Sequence, residues 1–176
     1  MVQAEATRQI TYTMAGNEAI HQEMARDPKV FIMGEDIAGA AGKADQGFID
    51  AWGGPFRLTK RLIVEFGEDR VRDTPISEAG FIGAGVGAAA TGMRPIVDLM
   101  FVGFVGVCAD QIFNNAAKIH YMFGGKVKVP LTIMTGVGAG ASSAAQHSES
   151  LYAIFTHFPG LKCVVPSDAY SMKGLL

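Results

Sequence analysis

Residues 76–95, "ISEAGFIGAGVGAAATGMRP", hold a single carboxylate, Glu78, at the head of a run of glycines and alanines. Burying a carboxylate alone is costly, so it must be solvated, paired or used. Two chemistries suit the position. An acid in the first turn of a helix is favoured by the helix dipole. A carboxyl set in an apolar wall can instead exchange a proton with a ligand. A third reading, dinucleotide binding, draws on the glycine spacing of "GFIGAGVG" (80–87). That fingerprint needs its glycines in the turn between strand and helix and an acid further on. Here the glycines run into the helix itself, with Gly83 and Gly87 on one face, so close packing accounts for them better.

Other groups could join Glu78. Glu35 and Asp36 follow the apolar run "VFIMG" (30–34), and His147 lies in "AAQHSES". A serine–histidine hydrolase is disfavoured because no G-x-S-x-G elbow accompanies His147. His21, His120 and His157 are scattered, with no spacing that suggests zinc. Cys108 and Cys163 lie in apolar stretches without a C-x-x-C pair, and both are expected as reduced core thiols.

The elements that must position these groups alternate. Apolar residues at helical period predict a helix over 13–26, and a strand is expected at 30–34. A glycine-rich loop covers 35–55, followed by an amphipathic helix over 56–67 and a weaker strand near 70–75. The small-residue helix takes 78–92, a strand 94–100 and a helix about 107–122. Strands are expected at 129–136 and 161–167, a helix at 148–157 between them, and Ser167 as the N-cap of a last helix. Asp110, Asn114 and Lys118 make one polar stripe on an otherwise apolar helix. The alternation argues a single α/β domain with a mainly parallel sheet and helices on both faces. In such sheets ligands gather at the carboxyl ends of the strands. Glu35 and Asp36, Ser77 and Glu78, Phe101 and Phe104, and the loop with His147 all fall there.

Composition narrows the function classes. The chain has 176 residues, 49% hydrophobic and 18% charged, with a formal net charge of -2. That balance disfavours disorder and provides no basic footprint for nucleic acid or anionic membrane. No apolar stretch is long enough for a spanning helix and no signal-like N-terminus is present, so a cytoplasmic protein is expected.

Taken together, "MGEDIAG", "DTPISEAGFIGAGVGAAATGMRPIVDLMF", "DQIFNNAAKIHYMFGG", "AAQHSES" and "HFPGLKCVVPSD" resemble the β subunit of thiamine-diphosphate-dependent E1 enzymes. These serve the pyruvate, branched-chain 2-oxo acid and acetoin dehydrogenase complexes. The resemblance runs from about residue 9 to the end. It implies a transketolase-type pyrimidine-binding domain over 1–176, the N-terminal part of an E1 β chain whose C-terminal domain is absent. It further implies that Glu78 hydrogen-bonds N1′ of the cofactor's aminopyrimidine, that Phe104 stacks on that ring, and that Ile76 and Met100 line the same pocket. Glu35 would tune or relay protons, and His147 would meet substrate or an incoming lipoyl group.

No metal ligand is assigned to this chain. Mg²⁺ and the diphosphate would be held by the partner α subunit in an α2β2 assembly, with a lipoyl-bearing E2 component as acyl acceptor. The reaction implied is decarboxylation of a 2-oxo acid, or cleavage of acetoin, with acyl transfer to a lipoyl group. The domain alone should be inactive. Two alternatives are a transferase of the transketolase or 1-deoxyxylulose-phosphate synthase type and a non-catalytic scaffold of the same fold.

Overall fold

The structure, a computed structural model, describes residues 8–39 and 52–176. Most of the loop expected at 35–55 therefore lies outside the described residues. Among the described residues four strands form one sheet in the order β2-β1-β3-β4. They are β1 (Val30–Gly34), β2 (Val71–Asp73), β3 (Arg94–Phe101) and β4 (Thr132–Gly136). Every pairing is parallel. All five residues of β1 are buried, as a central strand covered on both faces requires.

Alternate residues of the strands feed two cores. Val30, Ile32, Val71, Ile96 and Met134 pack with Ile20 and Met24 of α1 (Tyr12–Arg26) and with Leu62 and Ile63 of α2 (Leu62–Phe66). Phe31, Met33, Val97 and Leu99 pack on the other face. Their partners are Phe81 and Ile82 of α3 (Glu78–Ala90), Val105 and Cys108 of α4 (Val105–Asp110), and Ile112. Helices cover both faces, as the alternation of elements argues. Among the described residues, no helix is long and apolar enough to cross a membrane.

The helix expected over 107–122 is longer and interrupted. A 3₁₀ turn at Val102–Phe104 leads into α4, a π-helical segment takes Gln111–Ala116, and α5 (Ala117–Met122) completes it. Such a segment shifts the helical period, which a fixed spacing cannot register. It also lies against α3, where a Cβ at residue 83 would meet Gln111 Oε1 at 3.0 Å. Close packing therefore explains Gly83, whereas Gly87 faces open space. The stripe of Asp110, Asn114 and Lys118 is a hydrogen-bonded chain. Asn114 Nδ2 donates to Asp110 Oδ1 at 2.7 Å, and Lys118 Nζ donates to Asn114 Oδ1 at 2.8 Å.

Four expectations fail, each for a physical reason. The helix over 56–67 shrinks to α2, because Arg57 and Arg61 adopt left-handed backbone. Thr59 Oγ1 donates to the Ile37 carbonyl at 2.5 Å and Asn17 Nδ2 to the Leu58 carbonyl at 2.7 Å, tying that segment down as turns. The strand at 161–167 does not form. Among the described residues nothing pairs with it, and Val164 and Val165 are exposed.

The last helix, α7 (Ala169–Leu175), is capped by Asp168 rather than Ser167. Asp168 Oδ1 accepts from Ser171 N at 2.7 Å while Ser171 Oγ accepts from Asp168 N at 3.1 Å, a reciprocal box that Ser167 cannot complete. Cys163, on the unpaired tail segment, is only half-buried and is not a core thiol, whereas Cys108 is buried. Elsewhere the boundaries move by a few residues, as for α6 (Tyr152–His157).

Candidate functional site

The strand order reverses between β1 and β3, and that switch point opens the crevice where parallel sheets take ligands. Glu78 opens α3 immediately after β2 and is 8% exposed. The Ser77 side chain does not cap the helix, and among the described residues no hydrogen bond reaches the Glu78 carboxylate. Its charge is felt by two other elements. Burial first, then the charges of Asp36 and Glu78, push the Glu35 carboxyl above the usual carboxylate range. Burial first, then Glu78, push the Cys108 thiol up to about 11. The ends of β1 and β2 and one face of α4 thus converge on one acidic point.

The Cys108 result has a direct consequence. With a thiol near 11 the reactive thiolate at pH 8 is about one part in a thousand. Iodoacetamide at pH 8 should leave Cys108 unmodified in the native protein and label it once the chain is unfolded, read by peptide mass mapping. Rapid native labelling of Cys108 would contradict that placement.

β3 ends irregularly. Asp98 pairs with Met134 and Phe101 with Gly136, so three steps on β3 match two on β4. The surplus residue makes a β-bulge, a device that re-aims side chains beside functional sites. Met100 sits in it at φ +65, a left-handed conformation that costs a non-glycine residue about 1–3 kcal/mol. Asp98, 7% exposed, accepts the Met100 N–H on Oδ1 at 2.8 Å. Asp98 was not singled out from the sequence, although an acid inside the apolar run "PIVDLM" is a legible signal.

Beyond the bulge lies an aromatic cluster. His147 stacks on Phe101 with ring centres 4.1 Å apart and meets Phe104 edge-on at 5.5 Å. Phe56 meets Phe101 edge-on at 5.2 Å. His147 Nδ1, Glu149 Oε2, Thr135 Oγ1 and Thr74 Oγ1 are buried and, among the described residues, find no hydrogen-bond partner. All four belong to the carboxyl ends of strands or the loops that follow. Buried polar atoms are nearly always satisfied, so this set fits a surface whose hydrogen bonds are completed by a bound polar group.

The residues singled out from the sequence are thus placed unequally. Glu35 and Glu78 interact electrostatically, Phe104 and His147 touch, and Met100 is one residue from Phe101. Ile76 stands apart, 79% exposed on the turn before Glu78. Glu149, Thr74 and Thr135 were missed, being ordinary loop and strand residues by type.

Comparison with known proteins adds four observations. The family described as "Transketolase, pyrimidine binding domain" matches residues 8–176. The chain is 58% identical over 169 residues to the acetoin:2,6-dichlorophenolindophenol oxidoreductase subunit beta of Cupriavidus necator, covering 96% of this chain and 49% of that protein. It is 44% identical over 168 residues to the pyruvate dehydrogenase E1 component subunit beta of Rickettsia conorii, covering 96% and 48% respectively. The chain therefore spans about half the length of the curated relatives it matches. Among solved structures, a split gene transketolase described as an inactive beta4 tetramer superposes with a TM-score of 0.64 at 18% identity, covering 96% of this chain and 47% of that one. That likeness supports the fold alone.

Proposed function

Because the chain belongs to the transketolase pyrimidine-binding domain family, we propose that it forms the aminopyrimidine-binding half of a thiamine-diphosphate-dependent E1 enzyme, with acetoin or a 2-oxo acid of the pyruvate type as substrate. The observation that carries this reading is Glu78, a buried carboxylate that no hydrogen bond reaches among the described residues, at the convergent edge beside buried polar atoms likewise without a described partner and a ring cluster. Acetoin stands first, since the relatives named for it share 58% and 54% identity, against 44% for the pyruvate relative.

When bound, the cofactor supplies the carbanion chemistry that side chains lack. This chain's residues do the rest. Glu78 holds and exchanges a proton at N1′ of the aminopyrimidine, and its buried setting strengthens that hydrogen bond. Phe104 offers a ring face for stacking, and Met100 and Ile76 form apolar walls, Ile76 being covered only once the site is assembled. Glu35, whose carboxyl is pushed above the usual carboxylate range by burial and then by the charges of Asp36 and Glu78, tunes the acidic point or relays protons. His147, whose Nδ1 has no partner among the described residues, positions substrate or the lipoyl acceptor. An α subunit contributes Mg²⁺ and the diphosphate-binding half, and a lipoyl-bearing E2 takes the acyl group.

The test is a dye-reduction assay on the full-length chain co-purified with its α partner, thiamine diphosphate and Mg²⁺. Acetoin, pyruvate and branched 2-oxo acids are offered side by side. Turnover of one of them is expected. An assembled complex that binds the cofactor and turns over none would remove these donors. A complex that never binds it would leave a scaffold.

A further inference from the structure

We infer that Asp98 is a positioning residue of this site, holding Met100 in its left-handed bulge so that Met100 and the ring cluster after it face the aminopyrimidine. This rests on the function proposed above.

The geometry points one way. The Arg94 amide donates to the Lys29 carbonyl, so by alternation the even-numbered residues of β3, Met100 among them, turn their amides toward β1. The β1 pairing ends with Gly34 opposite Asp98, and the Asp98 carboxylate takes the Met100 amide that lies past that end, at 2.8 Å. Methionine has no local means of favouring a positive φ, so something outside the residue must hold it there. On the facing strand the register pairs Gly34 with Asp98, and a Cβ at residue 34 would fall 2.9 Å from the Asp98 Cβ. A glycine on β1 thus leaves Asp98 room. An apolar residue would serve a strand buried on both faces at lower cost, because burial pushes this carboxyl up and only the Met100 N–H pulls it back. The carboxylate is explained by what it holds. Phe101 follows directly, and its stacking on His147 depends on the direction in which the bulge sends the chain.

The experiment is a mutant cycle in the assembled αβ complex, read as the dissociation constant for thiamine diphosphate at saturating Mg²⁺ and as thermal unfolding. Asp98→Ala should weaken cofactor binding by about tenfold or more. Asp98→Asn keeps an oxygen acceptor and should stay within about threefold of wild type. In a Met100→Gly background, where a positive φ needs no holding, Asp98→Ala should cost less than about threefold more.

Equal losses from Asp98→Ala in both backgrounds, or Asp98→Asn as weak as Asp98→Ala, would overturn the inference. If Asp98→Ala fails to assemble, adding Met100→Gly should restore assembly, and failure to do so overturns it as well. A wild-type complex that binds no thiamine diphosphate would defeat the proposed function instead. The coupling of the two sites in thermal unfolding would then still decide whether Asp98 holds Met100.

Discussion

Glutamine in place of Glu78 should lower turnover of the assembled enzyme by about 10²–10⁴-fold, the range lost when a positioned proton-exchanging group is removed. The substitution is nearly isosteric and keeps a hydrogen-bonding oxygen, so the start of α3 should survive it. What is lost structurally is a negative charge in the first helical turn, worth about 0.3–1 kcal/mol. Relief from burying that charge offsets part of the loss. Steady-state kinetics beside a thermal melt separate the two effects. The expected pattern is a collapse of kcat with little change in melting temperature or in subunit assembly. Turnover within a few-fold of wild type would mean that Glu78 is only a helix-start acid.

A second large effect lies away from the chemistry. Gly160 has φ +98, and a Cβ there would fall 2.0 Å from the Ala117 carbonyl oxygen and 2.9 Å from its carbon. That turn seats Phe158 flat on Phe113, with ring centres 4.2 Å apart. Alanine adds left-handed strain of about 1–2 kcal/mol and a backbone clash of about 1–3 kcal/mol. Gly160→Ala should therefore lose about 2–5 kcal/mol in urea unfolding. Gly140→Ala, where an added Cβ meets nothing within 4 Å, should change stability by less than about 0.5 kcal/mol. Equal effects at the two positions would contradict the close approach at Ala117.

Much of this architecture is legible in the sequence because buried parallel strands are short apolar runs that need no partner to be recognised. "VFIMG" and "RPIVDLM" are such runs, and both form strands. "LKCVVPS" has the same texture and does not, because pairing is non-local and, among the described residues, no strand pairs with it. The segment 56–67 carries a helical pattern, yet its own Thr59 hydroxyl is drawn to the Ile37 carbonyl and Asn17 of α1 captures its Leu58 carbonyl.

The site divides in the same way. Glu78 is visible as one acid before a small-residue helix, and the four strand ends as neighbours in an alternating chain. The stack of His147 on Phe101, and the role of Asp98 beneath Met100, depend on a bulge and a loop conformation that spacing does not encode. Ile76 was expected in a pocket wall and stands exposed in this chain. Its burial would require the cofactor and the partner subunit.

On the proposed function, bound thiamine diphosphate would lose the proton at C2 of its thiazolium ring, and the most direct measurement follows that proton. Hydrogen–deuterium exchange at C2 would be timed by quenched-flow NMR in the assembled complex, with wild-type protein and with Glu78→Gln, both saturated with thiamine diphosphate. Rapid exchange is expected in the wild type, and exchange slowed by about 10²-fold or more in the variant. Equal exchange rates, with cofactor bound in both, would contradict the assignment of Glu78 as the group that activates it.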